Sequence, residues 1–233
     1  MSNVPQPLEE FAGRWRDHQP TWPDFPVMDS KSISKGLGYL PLQLGYDVPY
    51  EAMLAEARNL RDHFVMHRSS ENHRGWRSIC IHGLSPTHTL GHKDYGYETT
   101  ESAPYGWTDI CKFCPVTHDF FSRVLEYDSY ERIRFMLLEP GGYILPHVDV
   151  PWVQLAPINI ALNAPRDCEF IMENWGTIPF PPGAVNILAI GNPHAVWNRS
   201  DEDRYHIIVH GIKKPMWQQR IVNSYESLLA NQG

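Results

Sequence analysis

Apolar residues change their spacing twice along this chain, and each change marks a different kind of element. Before Pro49 no period lasts, because Pro5, Pro7, Pro20, Pro23, Pro26 and Pro41 interrupt the apolar runs. Residues 1–48 are therefore expected to form an extended N-terminal arm with short elements that wraps the core. From Pro49 to Val65 the spacing turns helical: Met53, Ala57, Leu60 and Phe64 share a face, and Pro49 suits a first helical position. Trp76 to Ile81 predicts a strand, followed by a long polar loop to about Thr108. A second helix is expected over 117–126, burying Phe120, Phe121, Val124 and Leu125.

Beyond Arg132 the chain becomes β-rich. Strands are predicted at 132–138 and 143–148, on either side of a turn at Pro140-Gly141-Gly142, and again at 154–162, 169–174, 184–190 and 205–212. Pro181-Pro182-Gly183 breaks two of them apart. Short strands at regular intervals with Pro/Gly turns point to a mainly β chain with flanking helices (α+β). Its core would be a double-stranded β-helix, the cupin-like jelly roll. A single domain accounts for the 233 residues: the arm 1–48, a helical and loop region 49–131, a β-helix catalytic core 132–214 and a C-terminal tail 215–233. The tail is expected to hold a short helix over 223–230.

Composition bounds the class and leaves the chemistry open. With 42% hydrophobic and 12% aromatic residues the chain is globular. A net charge of −7 speaks against a nucleic-acid partner held by electrostatics. No apolar run approaches the roughly 20 residues of a membrane helix, so no membrane is expected. The polar, proline-rich start does not read as a signal peptide. Four cysteines do not make a disulfide framework, and a cytoplasmic location is expected.

The chemistry lies in two segments. Pro146-His147-Val148-Asp149 places an imidazole and a carboxylate two residues apart, which on a strand puts both on one face. His194, 47 residues later, would complete a set of two histidines and one carboxylate. Such a set suits divalent iron and leaves coordination positions open for a cosubstrate and O2. Arg204 follows ten residues after His194, and a guanidinium can grip a carboxylate through two parallel hydrogen bonds. The bland reading of Arg204 is a salt bridge to Asp201 or Asp203.

Glu139-Pro140-Gly141-Gly142, Leu145-Pro146-His147 and the run from His194 through Trp197 and Asn198 to Ser200 resemble the aspartyl/asparaginyl β-hydroxylase family, over about Arg132 to Lys213. The resemblance implies a double-stranded β-helix enzyme that uses iron(II), 2-oxoglutarate and O2. Such an enzyme hydroxylates a C–H bond of an amino acid, a peptide residue or another small polar substrate, releasing succinate and CO2. It implies His147 and His194 as iron ligands and Arg204 as the partner of the distal carboxylate of 2-oxoglutarate. Asn159 falls near the metal-binding end of the cosubstrate, and Asn198 and Ser200 are candidates to support it. Some animal members lack an acid two residues after the first histidine. Asp149 aligns this chain with bacterial-type members that keep the full triad, and argues against halogenation.

Substrate contacts are expected from a histidine-rich loop between His82 and Tyr97 and from its surroundings: Arg77, His92, Lys93, Trp152 and Gln154. Trp76 and Trp107 could wall such a site. Cys111 and Cys114 have the spacing of half a zinc site, but read better as two partly buried thiols opening a helix. Cys80 and Cys168 read as structural. His206 and His210 share a strand face and read as satisfied buried groups. Two other functions compete: a metal-dependent cupin enzyme that does not use 2-oxoglutarate, and a non-enzymatic β-sandwich binding module. A dicarboxylate anchor at Arg204 separates the oxygenase from both.

Overall fold

The computed structural model describes residues 5–68 and 70–231. In chain order the elements are α1 Gln6–Trp15, α2 Ser30–Gly36, β1 Tyr39–Pro41, α3 Tyr50–Asn59, β2 Val65–Met66, β3 His73–Gly83, β4 Gly106–Trp107, α4 Pro115–Asp119, β5 Tyr127–His147, β6 Ile158–Ala161, β7 Cys168–Met172, β8 Gly176–Thr177, β9 Val185–Leu188, β10 His194–Asn198, β11 Arg204–Lys213 and α5 Trp217–Ala230. Every strand pair is antiparallel, in the order β1-β9-β6-β11-β5-β10-β7-β8.

β5 is the hinge of this order. Its first half pairs with β11, from Tyr127 opposite Lys213 to Leu138 opposite Arg204. Its second half pairs with β10, with Tyr143 opposite Trp197 and His147 opposite His194. β3 runs along the other edge of both halves, from His73 opposite Ile144 to His82 opposite Ile133. One strand thus belongs to two sheets that fold over each other, the arrangement of a double-stranded β-helix.

Pro140-Gly141-Gly142 does not reverse the chain as predicted. Trp76 pairs with Leu138 and Arg74 with Tyr143, so residues 139–142 bulge out opposite Gly75 while the strand continues. Pro140 cannot donate to a ladder, and Gly75 and Gly141 both take φ +67, so the segment meets the demands of a bulge as well as those of a turn.

The main core lies on the outer face of the β11/β5 sheet. There Ile133, Phe135, Leu137, Ile207 and Val209 pack with Met53, Ala57 and Leu60. The helix over 49–65 is realised at Tyr50–Asn59 and ends in a 3-10 turn, with its predicted apolar face buried. The second helix starts at Pro115 and widens into a π-helical turn over Phe120–Val124. That extra residue per turn carries Val124 to the surface, while Phe120, Phe121 and Leu125 stay buried.

The two ends are more ordered than their sequences suggest. In the arm, the short element α1 packs Leu8, Ala12 and Trp15 on Ile171, Ala195 and Trp197. α2 is capped by Asp29, which accepts from the Lys31 and Ser32 N–H groups. The tail holds a 14-residue helix that buries Trp217, Ile221 and Tyr225. Its apolar period is diluted by Gln218, Gln219 and Arg220, which hid its first half. Among the described residues no helix is long and apolar enough to cross a membrane.

Candidate metal centre and arginine-lined cavity

Side chains alternate across a strand, so the inner face of β5 and β11 carries the residues between the core positions. That face is polar. Arg132, Arg134, Arg204, His206 and His210 all line a cavity of about 250 Å³ between the two sheets. Asn159 from β6 and Phe170 from β7 complete its walls, with His147, Asp149 and His194 at one end.

His147 and His194 stand directly opposite one another in the β5/β10 register, with ring centroids 4.3 Å apart. The ligand atoms of His147, Asp149 and His194 all lie within 4.8 Å of one another. Asp149 Oδ1 is 3.4 Å from His147 Nε2, and Oδ2 is 3.6 Å from His194 Nε2. Asp149 sits just past the end of β5, where its backbone N–H donates to the Ile190 carbonyl. Strand alternation is therefore not what aims its carboxylate; the Ile190 contact holds it there. Gly191 makes room for that loop, since a Cβ on it would stand 2.0 Å from the Trp152 carbonyl oxygen.

Both rings are fixed in tautomer. His147 Nδ1–H donates to the Leu145 carbonyl at 2.8 Å and His194 Nδ1–H to that of Asn192 at 2.9 Å, which turns each Nε2 lone pair toward Asp149. Phe170 stacks on His194, ring centroids 5.2 Å apart and nearly parallel. Burial, reinforced by the charge of His147, lowers the His194 pKa to about 4 and keeps that ring neutral. For His147 burial acts downward, but the bond that a protonated Nε2–H gives Asp149, with the charge of Asp149, outweighs it and leaves the pKa raised. Burial acts upward on Asp149, and the two histidines outweigh it, leaving the carboxyl below its ordinary value. Two neutral-capable imidazoles and one ionised carboxylate converging on a point form a donor set that fits iron(II).

Arg204 is 5% exposed, and no carboxylate of the described residues lies within 4.0 Å of it. Its Nη1 donates to His206 Nδ1 at 3.1 Å, and its guanidinium lies over the Phe180 ring at 5.3 Å. The salt bridge that would have explained Arg204 blandly does not form, because Asp203 pairs with Arg61 at 2.5 Å instead. Asn159 is buried and lines the same cavity.

Asn198 and Ser200 do not line the cavity. Asn198 Nδ2 donates to the carbonyls of Leu138, Glu139 and Glu202, and Ser200 Oγ donates to Asn198 Oδ1. They clamp the end of β10 to the bulge of β5 and to the loop that delivers Arg204. The five candidate substrate contacts also stand outside the cavity wall. Arg77 pairs with Glu139 at 2.6 Å, His92 and Lys93 sit on a 3-10 turn, and Trp152 and Gln154 are exposed. From the predicted loop it is Leu90, Gly91 and Asp94 that reach the cavity, and Trp76, but not Trp107, forms part of its wall. Cys111 and Cys114 bond to the carbonyls of Ile81 and Ile110, and among the described residues no third metal ligand joins them.

Sequence reasoning missed His67, Arg132 and Arg134. The signal was present in β5, where two arginines alternate with Ile133 and Phe135 on a strand with core on one side. A charged inner face is unexpected only once the strand is known to have two covered faces.

The sequence profile of the aspartyl/asparaginyl β-hydroxylases matches residues 49–214. No curated protein is a significant match. Among solved structures, a prolyl hydroxylase from Trichoplax adhaerens in complex with a hypoxia inducible factor peptide fragment is 16% identical, covering 76% of this chain and 84% of its own, at TM-score 0.46. A prolyl-4-hydroxylase from Pseudomonas putida is 14% identical over 76% of this chain and 93% of its own, at TM-score 0.44. An oxidoreductase of the 2OG-Fe(II) oxygenase family from Burkholderia pseudomallei is 14% identical over 87% and 99%, at TM-score 0.45. The chain belongs to the aspartyl/asparaginyl β-hydroxylase family of iron(II)- and 2-oxoglutarate-dependent oxygenases.

Proposed function

We propose that His147, Asp149 and His194 hold iron(II) and that Arg204 anchors the distal carboxylate of 2-oxoglutarate, with Asn159 near the cosubstrate's metal-binding end. The observation that carries this reading is Arg204: a buried guanidinium, in the same cavity as the triad, with no carboxylate of the described residues within 4.0 Å. A buried charge without a partner is costly, and a dicarboxylate supplies one. Neither a binding module nor a cupin indifferent to 2-oxoglutarate needs such a group.

When bound, the iron and cosubstrate supply O2 activation, with release of succinate and CO2 and hydroxylation of a substrate C–H bond. The protein's own residues place and shield the reaction. His147 and His194 present Nε2 without a change of tautomer, because Nδ1–H is already bonded. Ile144, Val196 and Phe170 line the cavity with apolar surface that excludes water. The turn at His92–Tyr95 brings Gly91 and Asp94 to the cavity, where a small molecule or a peptide residue would enter. Asn198 and Ser200 act on the cosubstrate indirectly, by fixing the approach to Arg204. The cysteines are all free thiols, which suits a reducing cytoplasm.

The test is an anaerobic absorption titration with iron(II) and then 2-oxoglutarate. A visible band that requires both, and that weakens at least tenfold in 2-oxoglutarate affinity in Arg204→Ala, is the expected result. Iron binding with no such band would remove 2-oxoglutarate from the reading.

A further inference from the structure

We infer that Arg134, together with Arg132, forms a second anion subsite in the cavity and takes a carboxylate of the substrate; this rests on the iron and 2-oxoglutarate reading of the same cavity.

Arg134 is buried on the inner face of β5 and lines the cavity. Its Nη1 donates to the Thr89 carbonyl at 2.8 Å and faces His67 Nε2 at 3.4 Å, and its Nη2 donates to His210 Nε2 at 3.1 Å. All of these acceptors are uncharged. His67 is anchored through Nδ1 to the hydroxyls of Ser78 and Thr89, leaving Nε2 free to accept. The Nε atoms of Arg134 and of neighbouring Arg132 are buried with no hydrogen-bond partner among the described residues. No described carboxylate lies within 4.0 Å of either guanidinium. Some donors are satisfied, but the charge is not.

Arg204 does not account for this second station. Arg134 lies opposite Ile208 and Arg204 opposite Leu138, four residues apart along the ladder, roughly 13 Å at the usual strand rise. The bonds of Arg134 run toward Thr89, His67 and His210, whereas those of Arg204 run toward His206 and Phe180. Charge points the same way. Arg68, Arg132, Arg134 and Arg204 line the cavity against Asp94 and Asp149 only. A divalent metal and a dianionic cosubstrate cancel, so the loaded cavity keeps an excess of two positive charges. Arg132 and Arg134 both line the cavity, and the paired oxygens of a carboxylate match planar guanidinium donors.

The experiment uses the full chain loaded with zinc(II) and N-oxalylglycine, an unreactive analogue that occupies the 2-oxoglutarate position. Calorimetric titrations then compare butyrate, its uncharged isostere butyramide, and inorganic phosphate. Butyrate is expected to bind at least tenfold more tightly than butyramide, and Arg134→Gln to weaken butyrate at least tenfold. The iron and 2-oxoglutarate band is expected to persist in Arg134→Gln. No butyrate binding, equal binding of butyramide, or a butyrate affinity within twofold of wild type in Arg134→Gln would each overturn the subsite. Tighter binding of phosphate would overturn the carboxylate. If Arg134→Gln does not fold, the half-buried Arg132→Gln decides: at least a threefold loss supports the subsite and no loss refutes it. A wild-type protein that fails to form the band disproves the iron reading separately.

Discussion

In both His147 and His194 one ring nitrogen is committed to a carbonyl two residues back, so the other is offered without rearrangement. Replacing either His147 or His194 by Ala is expected to weaken metal binding beyond the roughly 10–100-fold that loss of a supporting partner brings. Titration with cobalt(II), followed by its visible spectrum, measures this directly. Asn198 illustrates a different kind of importance. Its single amide serves three carbonyls from two segments, and Asn198→Ala leaves them without that donor. A loss of about 2–4 kcal/mol in urea denaturation is expected. A loss below about 1 kcal/mol would show that the clamp is not what holds the approach to Arg204.

Among elements, the segment after β5 is held by a backbone contact and not by its own strand. Gly191→Ala puts a methyl group where the Trp152 carbonyl stands and must displace the loop that carries Asp149. The expected outcome is at least a tenfold loss of metal affinity with the fold retained, read by cobalt(II) titration beside circular dichroism. Unchanged affinity would mean that Asp149 is placed independently of that packing. This contact also marks where the sequence stopped being legible. His147, Asp149, His194 and Arg204 could be picked out because each announces itself within a few residues. The jelly roll could be read from the strand rhythm. The bulge at 139–142 could not be told from a turn, since Pro and Gly serve both and only the pairing of β3 across both halves decides between them. Arg134 comes from β5, His210 from β11 and His67 from the segment just past β2, so no local pattern joins them.

The whole molecule is built around a buried population of neutral imidazoles. Burial, with neighbouring guanidinium charge adding, pushes His67, His206 and His210 well below their usual value of 6.5. The unfolded chain therefore takes up protons near pH 6.5 that the folded one refuses. Stability from this source is fully present above pH 6.5 and falls as the pH drops, by up to about 1.4 kcal/mol per unit for each histidine. Metal-free protein should show a melting temperature that declines steeply from pH 7 to pH 5, and His206→Gln should flatten the decline. An equally steep decline in that variant would point to other groups. The β-helix segment 132–214 is not expected to fold alone. β3 pairs along most of β5, and Trp217, Ile221 and Tyr225 of α5 fill the main core. The isolated segment should give the circular dichroism of an unfolded or aggregated chain.

The bulge in β5 also sets a rule of parity. The strand keeps its pairing with β3 while it bends through the bulge, and both of its halves line the same cavity, so the residues between Leu138 and Tyr143 count as spacers between them. Removing one of them would rotate everything downstream by half a pleat and point His147 away from His194. Removing two would keep its direction but shift it roughly 7 Å along the strand. The segment 139–142 therefore behaves as a gauge block whose length fixes both the facing of His147 and its separation from the arginine wall, and a single-residue deletion there should abolish metal binding even where the fold survives.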